Sequence, residues 1–243
     1  MKVLLTGAGG YTGRGIGPVL RTAHWVRGLD VKDAGAAVDE CMVGDIADLD
    51  VCRRAVEGVE ALVLCHMAPN PAGYQTPVAA IDINVKGTAN LYHVAKDAGI
   101  LRAVLISSTG VLPHPAADPA PGDGPYRFGP HNMPLYVLTK IMQECVARFY
   151  HDQHGVITTI LRPSWIVYDE DFTTKYGSRI DKYNTGLIDP RDIGAAVLAA
   201  LALRDPKLEA FQIGQDDSGM SLSAARERLG WKPQHRFEGL PRG

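Results

Sequence analysis

The amino terminus reads Lys2-Val3-Leu4-Leu5-Thr6-Gly7-Ala8-Gly9-Gly10-Tyr11-Thr12-Gly13, a short apolar run that ends in a glycine-rich turn. This order predicts a β-strand, a tight loop and the start of a helix. Gly7, Gly10 and Gly13 recur every third residue, and glycine allows positive φ and a close approach of backbone to ligand. A helix that begins near Tyr11 or Thr12 directs its free N–H groups at an anion. The turn therefore predicts a cradle for the pyrophosphate of a dinucleotide.

Because such glycines also occur in plain strand–turn–helix connections, the surrounding sequence decides their meaning. A helix-length stretch, 14–23, follows the turn, and Asp30 ends the next apolar segment. Asp30 lies 23 positions after Gly7, close to the ~20 expected of the carboxylate that holds the adenosine ribose. That carboxylate would repel a 2′-phosphate, which favours NAD over NADP, although Arg27 and Lys32 nearby could weaken the preference. Alternatively, Asp30 is a solvated acid at a strand end.

Composition is that of an ordinary globular protein: 46% of the 243 residues are hydrophobic, 21% are charged, and the net charge is −2. No basic run exceeds two residues, and no apolar stretch approaches the ~18–20 residues that span a bilayer. We therefore expect no nucleic-acid partner and no membrane segment. The first strand begins at residue 2, so we also expect no signal peptide. The four cysteines lack metal-ligand spacing, which predicts no metal site and reduced thiols in a cytoplasmic protein.

Strands and helices alternate, which predicts an α/β fold with a Rossmann-type, doubly wound parallel sheet. The predicted strands are 2–6, 25–30, 41–43, 61–67, 103–108, 157–162 and 210–213. The predicted helices are 12–23, 49–56, 78–98, 135–154, 190–203 and 221–229. The helices at 78–98 and 135–154 could pair with copies of themselves in a homodimer, and burial in the core explains them equally well. We treat 1–243 as a single domain.

Two irregular segments interrupt this alternation. Residues 112–134 contain seven prolines and three glycines, so they cannot form regular structure. This segment follows a predicted strand end, at the sheet edge where open α/β folds bind ligands. It is either a substrate-facing loop or a surface excursion. The second segment, centred on 169–187 within 164–190, is rich in polar residues. Together they predict a small, reduced substrate-binding portion.

Tyr136 and Lys140 form a Tyr-x-x-x-Lys pair that shares one face of a predicted helix. An ammonium near a phenol favours the phenolate and lowers its pKa, which predicts a general acid–base active near neutral pH. Ser107-Ser108-Thr109, at a strand end, offers a hydroxyl donor. Spacing alone is not specific, since Tyr92 and Lys96 share it. Because their helix precedes the serine-bearing strand, we predict a structural role for them.

Seven motifs, in order, resemble those of extended short-chain dehydrogenase/reductases of the NAD-dependent epimerase/dehydratase group. They are the glycine turn, Gly44-Asp45-Ile46-Ala47-Asp48, Cys65-His66-Met67-Ala68, Asn84-Val85-Lys86-Gly87-Thr88-Ala89-Asn90-Leu91, Ile106-Ser107-Ser108-Thr109-Gly110-Val111, Tyr136-Val137-Leu138-Thr139-Lys140 and Leu161-Arg162-Pro163-Ser164. They cover roughly residues 1–165, and their order is far more specific than any one motif. Leu229-Gly230-Trp231-Lys232-Pro233 also resembles the tail of sugar-modifying members.

The resemblance implies roles for individual residues. Tyr136 is the implied acid–base, and Lys140 binds the nicotinamide ribose and tunes Tyr136. Ser108 is the implied catalytic hydroxyl, with Thr109 as a neighbour that can substitute, and Asn84 lies behind the site. The implied cofactor-binding residues are Gly7, Gly10, Tyr11, Thr12, Gly13, Asp30, Asp45, Ile46, Met67, Ala68, Tyr136, Lys140 and Pro163.

The resemblance also bears on the substrate. Only 79 residues follow Ser164, which leaves little material to bind a nucleoside diphosphate. The compact members that the chain resembles include uronate dehydrogenases, which oxidise a free sugar acid with NAD. Arg179 lies in the segment where those enzymes place an arginine for the substrate carboxylate, and a surface arginine explains it equally well. Ser164, expected near the nicotinamide, and Thr109 are further substrate-side candidates.

We therefore predict NAD-dependent oxidation of a hydroxyl on a small sugar, sugar acid or polyol. Thr109-Gly110 stands where dehydratases carry an Asp-Glu pair, which argues against dehydration. Epimerisation of a sugar or nucleotide sugar stays open as the alternative. A non-catalytic NAD(P)-sensing regulator typically lacks the Tyr/Lys pair, so the pair argues against that class.

Overall fold

A computed structural model describes residues 1–69, 72–114, 117 and 134–242. Its strands are β1 (Lys2–Thr6), β2 (Trp25–Asp30), β3 (Glu40–Val43), β4 (Ala61–Leu64), β5 (Arg102–Ile106), β6 (Ile157–Pro163), β7 (Trp165–Ile166), β8 (Leu187–Ile188) and β9 (Glu209–Ile213). Its α-helices are α1 (Tyr11–Leu20), α2 (Leu49–Ala55), α3 (Pro77–Ala80), α4 (Gly87–Asp97), α5 (Leu135–His154), α6 (Pro190–Leu201) and α7 (Ser223–Leu229). A π-helical turn, Ile81–Lys86, joins α3 to α4.

The central sheet has the order β3-β2-β1-β4-β5-β6-β9, and all of its neighbouring strands are parallel. This confirms the predicted Rossmann-type sheet. The strand order reverses between β1 and β4, the switch point at which open α/β sheets bind ligands. The short strands β7 and β8 form a separate parallel pair.

Helices cover both faces of the sheet. Because successive strand residues face opposite sides, Val3 and Leu5 pack into the layer beneath α1 and α6, whereas Leu4 packs into the layer beneath α2 and α4. Each of these three side chains is fully buried. Tyr92, on α4, is also fully buried and stacks on Tyr150 with ring centroids 5.4 Å apart.

Several element bounds differ from those predicted. The strand predicted at 61–67 ends at Leu64, which pairs with Thr6, because β1 ends at Thr6 and the next residue, Cys65, donates its N–H to the Thr6 hydroxyl rather than to a strand carbonyl. The strand predicted at 103–108 likewise ends at Ile106. The single helix predicted at 78–98 is divided into α3, the π-helical turn and α4. Local hydrophobic periodicity does not distinguish these helix types, and π-helical turns are frequent at functional sites.

Residues 167–187 form a small layer beside the sheet, held by the carboxy-terminal tail. Its apolar contacts join Val167, Leu187, Phe237 and Leu240, with Phe172, Ile180 and Tyr183 packed against them. The buried Asp192 anchors the tail, since its carboxylate accepts the backbone N–H of Gln234 at 3.0 Å and that of His235 at 3.1 Å. Phe172 and Phe237 both have positive φ, 57° and 55°, which is uncommon outside glycine.

Much of the predicted loop 112–134 lies outside the described residues, which include only 112–114, 117 and 134 of it. Within the described ranges, no helix combines the length and the apolarity needed to cross a membrane. In the same part of the chain, no group of three or more His, Cys, Asp or Glu side chains is placed to hold a metal ion.

Candidate active site

The glycine turn packs tightly against the end of β4. Gly7 has a φ of 69°, and a Cβ there would come within 2.8 Å of the His66 backbone. A Cβ on Gly13 would lie 2.1 Å from the Gly7 carbonyl oxygen, so only glycine permits this approach of α1 to β1. Gly10, at the N-cap of α1, has no side chain to cap the first N–H groups. An open helix N-terminus above a close-packed glycine turn fits a pyrophosphate group.

Asp30 lies beside this turn, at the end of β2. Its Oδ2 accepts the Gly9 N–H at 3.1 Å, and its Oδ1 accepts the Lys32 N–H at 3.0 Å. The structure brings together most of the residues expected around adenosine in one groove, which is lined by Gly7, Asp30, Asp45, Ile46 and Met67 among others. Ala68 does not line this groove; it is buried. Arg27 faces away, because its Nε lies 3.1 Å from Glu40.

The side chain of Tyr11 contacts the substrate-side segment. Its hydroxyl accepts the Tyr168 N–H at 3.0 Å and donates to the Thr173 carbonyl. The Tyr168 hydroxyl donates to the Tyr11 carbonyl at 3.1 Å, and the two rings meet edge to face at 5.0 Å. Because these hydrogen bonds occupy the Tyr11 hydroxyl, the group of Tyr11 that we expect to contact the cofactor is its backbone at the start of α1.

Three predicted catalytic residues, Ser108, Tyr136 and Lys140, converge on a cavity of about 320 Å³ at the carboxyl edge of the sheet. The Ser108 hydroxyl lies near the Tyr136 phenol and acts to lower its pKa. The buried Lys140 Nζ donates to the Ile106 carbonyl at 2.9 Å. The cavity is lined by Thr12, Cys65, Met67, Ile106, Ser107, Ser108, Thr109, Gly110, Tyr136, Lys140, Pro163, Ser164, Trp165, Ile166, Lys175 and Tyr176. The cavity therefore reaches from the cofactor turn to the substrate-side segment.

In the protein without a bound ligand, burial has the largest effect on the pKa values of Tyr136 and Lys140. It raises the pKa of Tyr136 to about 12, although Ser108 acts in the opposite direction. It lowers the pKa of Lys140 to about 8. The expectation of a lowered Tyr136 pKa is thus corrected, because removing the phenolate from water costs more than its polar neighbours restore.

Asn84, in the π-helical turn, connects three elements behind the cavity. Its Nδ2 donates to the Thr139 hydroxyl at 2.8 Å and to the Tyr74 hydroxyl at 2.9 Å. Its Oδ1 accepts the Ala68 N–H at 2.7 Å. The Thr139 hydroxyl in turn donates to the Tyr136 carbonyl at 2.9 Å. Asn84 is fully buried, so this chain of bonds fixes the first turn of α5.

A buried ion pair lies behind the strand ends at the carboxyl edge of the sheet. Glu144 and Arg162 are both fully buried, with Nη2 2.7 Å from Oε2. The Ser107 hydroxyl donates to Glu144 Oε1 at 2.6 Å. Because Ser107 precedes Ser108 and Arg162 precedes Pro163, the pair holds two strand ends that line the cavity. Sequence reasoning missed Glu144, and its position one helical turn beyond the Tyr-x-x-x-Lys pair was the available signal.

Two of the three substrate-side candidates line the cavity. The Thr109 hydroxyl donates to the Pro163 carbonyl at 3.3 Å. The Ser164 hydroxyl oxygen is buried and has no hydrogen-bond partner within the described part of the chain. An unpaired buried hydroxyl is costly, and this oxygen is enclosed by the protein rather than open to the cavity.

The structure does not bring the third candidate, Arg179, to the cavity. Its side chain is exposed, and its guanidinium lies over the Phe172 ring, 5.7 Å from the centroid. Lys175, in the same segment, lines the cavity instead, with Nζ 5.3 Å from the centre of the Tyr136 ring. Sequence reasoning missed Lys175. Nothing in the sequence around it indicates that its side chain, rather than that of a neighbouring basic residue, lines the cavity.

Known proteins resemble the chain over most of its length. A sequence profile of the NAD dependent epimerase/dehydratase family matches residues 3–185. The L-arabinose 1-dehydrogenase (NAD(P)(+)) of Haloferax volcanii is 24% identical over 250 residues, 96% of each chain. The uronate dehydrogenase of Pseudomonas syringae pv. tomato is 30% identical over 166 residues, 66% of this chain and 58% of that protein.

A third relative is longer. The 3 beta-hydroxysteroid dehydrogenase/Delta 5→4-isomerase of Mycobacterium tuberculosis is 30% identical over 181 residues, 71% of this chain and 49% of that protein. The chain therefore spans about half the length of this relative.

Solved structures share the fold. A short-chain dehydrogenase/reductase superfamily protein from Agrobacterium tumefaciens, crystallised with bound NAD, superposes with a TM-score of 0.79 at 22% identity over 98% of this chain and 94% of that one. Since the glycine turn, Ser108 and the Tyr136/Lys140 pair all lie inside the matched residues 3–185, this chain belongs to the NAD-dependent epimerase/dehydratase family of enzymes.

Proposed function

We propose that this protein is an NAD-dependent dehydrogenase that oxidises a hydroxyl group of a small sugar, sugar acid or polyol. The observation that carries the proposal is the convergence of Ser108, Tyr136 and Lys140 on one cavity that also reaches Thr12 at the cofactor turn. A hydroxyl donor, a phenol and a buried ammonium suit proton removal from an alcohol. NAD, held at the glycine turn and by Asp30, supplies the hydride acceptor when bound.

The protein's own residues handle the substrate oxygen. Ser108 donates a hydrogen bond that orients the substrate hydroxyl towards Tyr136. Tyr136 then accepts the proton of that hydroxyl, which requires the phenolate. Its raised pKa makes the phenolate scarce in the protein alone, so the Lys140 ammonium is needed beside the site to stabilise it. Proton removal and substrate orientation are thereby assigned to side chains that converge at one edge of the sheet.

A compact substrate suits the cavity. Its volume of about 320 Å³ would also have to receive part of bound NAD, since Thr12 and Pro163 from the cofactor side line it. Two relatives are named as a uronate dehydrogenase and an L-arabinose 1-dehydrogenase. Both names refer to compact sugars without a nucleotide, in agreement with a free substrate here.

The test is a spectrophotometric screen with NAD. Purified protein is incubated with NAD and free sugars, sugar acids, polyols and sugar nucleotides, and NADH absorbance is followed. We expect NADH from at least one free sugar or polyol. Tyr136→Phe should abolish this turnover and leave NAD binding intact. Conversion of a sugar nucleotide without net NADH would contradict the dehydrogenase and support the epimerase alternative, whereas NAD binding with no turnover would support a redox-sensing regulator.

We also propose that the protein is a homodimer in the cytoplasm. The surface that we expect to pair in the dimer is α5, a helix of 20 residues that carries the exposed Phe149. Light scattering should give twice the mass of one chain. A monomer at micromolar concentration would contradict the dimer. The location is tested separately, by fractionation of the native cells.

A further inference from the structure

We propose that the cavity contains an anion-binding subsite centred on Lys175, so that the substrate is a sugar that carries a carboxylate or a phosphate group. The inference rests on the proposed function, because it assigns the substrate class of the same cavity. Carboxylate and phosphate oxygens both accept hydrogen bonds from an ammonium, and the experiment below distinguishes them.

The first observation is that Lys175 lacks a counter-ion. Its Nζ lies over two aromatic rings, 5.3 Å from the Tyr136 centroid and 5.2 Å from the Tyr176 centroid. Across the residues that the structure describes, no carboxylate and no hydrogen-bond acceptor contacts this Nζ. Partial burial lowers the pKa of the Lys175 ammonium. A partly desolvated cation is costly unless an anion pairs with it.

A basic residue nearby shows the contrast. Arg191 also lies beside the small layer formed by 167–187, and its guanidinium is paired twice, 2.8 Å from Asp189 and 2.5 Å from Glu170. A cation with a purely structural role is paired with carboxylates in this way. Lys175 lines the cavity and has no such carboxylate partner among the described residues, which indicates that a ligand supplies the anion.

The second observation concerns the neighbours of Lys175 in the cavity wall. Trp165 lines the same cavity and is 43% exposed, so its indole offers a flat apolar surface. A cation and an aromatic face are complementary to a polar ring that bears an anionic substituent.

The third observation is the separation of functions within the cavity. Proton transfer is assigned to Ser108 and Tyr136, whereas the Lys175 ammonium lies over the face of the Tyr136 ring. A ligand must therefore present an oxidisable hydroxyl to Tyr136 and an anionic group to Lys175 within one small molecule. Sugar acids and sugar phosphates have both groups, whereas neutral sugars and simple polyols have only the first.

The experiment compares three substrates on one carbon skeleton: glucuronate, glucose 6-phosphate and glucose. For the wild type we expect kcat/KM for at least one anionic sugar to exceed that for glucose by about 10- to 100-fold, the range of a charge-assisted hydrogen bond. Preference for glucuronate identifies a carboxylate site, and preference for glucose 6-phosphate identifies a phosphate site. Lys175→Met should remove the advantage, chiefly through KM, and Lys175→Arg should retain most of it.

Two matched variants control for loss of positive charge. Lys182 is exposed in the same segment, and Lys182→Met should change the ratio of anionic to neutral kcat/KM by less than about twofold. Arg179→Met removes the cation that the sequence had indicated and should behave in the same way. If Arg179→Met, rather than Lys175→Met, abolished the preference for the anion, the assignment to Lys175 would be overturned.

Calorimetric titration of the NAD-bound protein with the same three sugars separates this inference from the proposed function. If neither anion bound more tightly than glucose, or if Lys175→Met weakened all three equally, the anion subsite would be overturned even where NADH is formed. If both anions bound in a Lys175-dependent way and no sugar gave NADH, the subsite would stand and the dehydrogenase would fail.

Discussion

The hydroxyl of Tyr11 accepts the backbone N–H of Tyr168 at 3.0 Å, which joins the cofactor turn directly to the substrate-side segment. The same hydroxyl donates to the carbonyl of Thr173, two residues before Lys175. A residue one position after Gly10 therefore sets the backbone path of the segment that lines the cavity. These hydrogen bonds join the start of α1 to the segment that carries Lys175.

Tyr11→Phe tests this link. The variant keeps the ring contact with Tyr168 and removes the hydroxyl, which leaves the Tyr168 N–H unpaired at a cost of about 1–3 kcal/mol. We expect substrate KM to rise about tenfold, while the Kd for NAD changes by less than threefold. Steady-state kinetics and NAD titration measure the two. The control is Tyr183→Phe, which removes a hydroxyl bonded at 2.7 Å to the exposed Asp217; equal effects of the two variants would contradict a specific role for Tyr11.

Cofactor preference should depend on Asp30. Asp30→Asn keeps an oxygen able to accept the Gly9 N–H and removes the charge that repels a 2′-phosphate. We expect the ratio of kcat/KM for NAD to that for NADP to fall about tenfold or more, as expected when about 1.4 kcal/mol of discrimination is lost. Asp33→Asn, at a neighbouring exposed position, is the control. An unchanged ratio in Asp30→Asn would show that the carboxylate does not discriminate between the two cofactors.

The rising arm of the pH–rate profile should report Tyr136. Turnover needs the Tyr136 phenolate and the Lys140 ammonium; burial raises the pKa of Tyr136 to about 12 and lowers the pKa of Lys140 to about 8 in the protein alone, so kcat/KM should rise with pH up to about 8 and then level off. Because Ser108 acts to lower the pKa of Tyr136, Ser108→Ala should move this rising arm to higher pH by about one unit as well as lower the rate. Kinetics over a pH series measure both effects. If Ser108→Ala lowered the rate without shifting the pH profile, Ser108 would orient the substrate without affecting the pKa of Tyr136.

Stability should fall in acid through His66. Burial lowers the pKa of His66 to about 3 from the model-compound value of 6.5. Its ring nitrogens lie 2.8 Å from the Thr6 hydroxyl and 3.0 Å from that of Thr88. Between these pKa values the unfolded chain binds one more proton than the folded chain. The free energy of unfolding should therefore drop by about 1.4 kcal/mol per pH unit as pH falls below 6.5.

Urea unfolding at several pH values measures this slope. His66→Gln removes the titrating ring, so its stability should depend less steeply on pH over the same window. The control is His93→Gln, because 44% of the His93 side chain on α4 is exposed and its replacement should leave the slope unchanged. Parallel curves for wild type and His66→Gln would assign the acid sensitivity to other groups.

The buried pair Glu144–Arg162 should be costly to break. Glu144→Gln removes a fully buried carboxylate from its contacts with Arg162 and the Ser107 hydroxyl, which we expect to lower the free energy of unfolding by about 3–5 kcal/mol. Asp152→Asn breaks a surface pair on the same helix, in which Arg148 Nε lies 2.7 Å from Oδ2, and should cost less than about 1 kcal/mol. Denaturant titration compares the two variants. If the two variants lost similar amounts of unfolding free energy, the idea that burial makes the Glu144–Arg162 pair costly to break would be contradicted.

Local patterns predicted much of the fold. The bounds of β1, β2 and α5 agree with the predicted 2–6, 25–30 and 135–154, because each is a continuous run with an unambiguous start and stop. Strand ends that depend on a partner were less predictable: β4 stops at Leu64 because β1, its neighbour, turns at Gly7. The π-helical turn around Asn84 had no local signal, since its pattern reads as ordinary helix.

By itself, the sequence indicated the cofactor turn and the candidate catalytic group, since the glycines, Ser108, Tyr136 and Lys140 belong to short motifs whose geometry is local. Only the tertiary structure decided which cation lines the cavity. Lys175 and Arg179 lie in one irregular segment without periodicity, and their directions depend on distant contacts from Tyr11 and the carboxy-terminal tail. Long-range hydrogen bonds and packing of this kind leave no pattern in the chain around the residues that they orient.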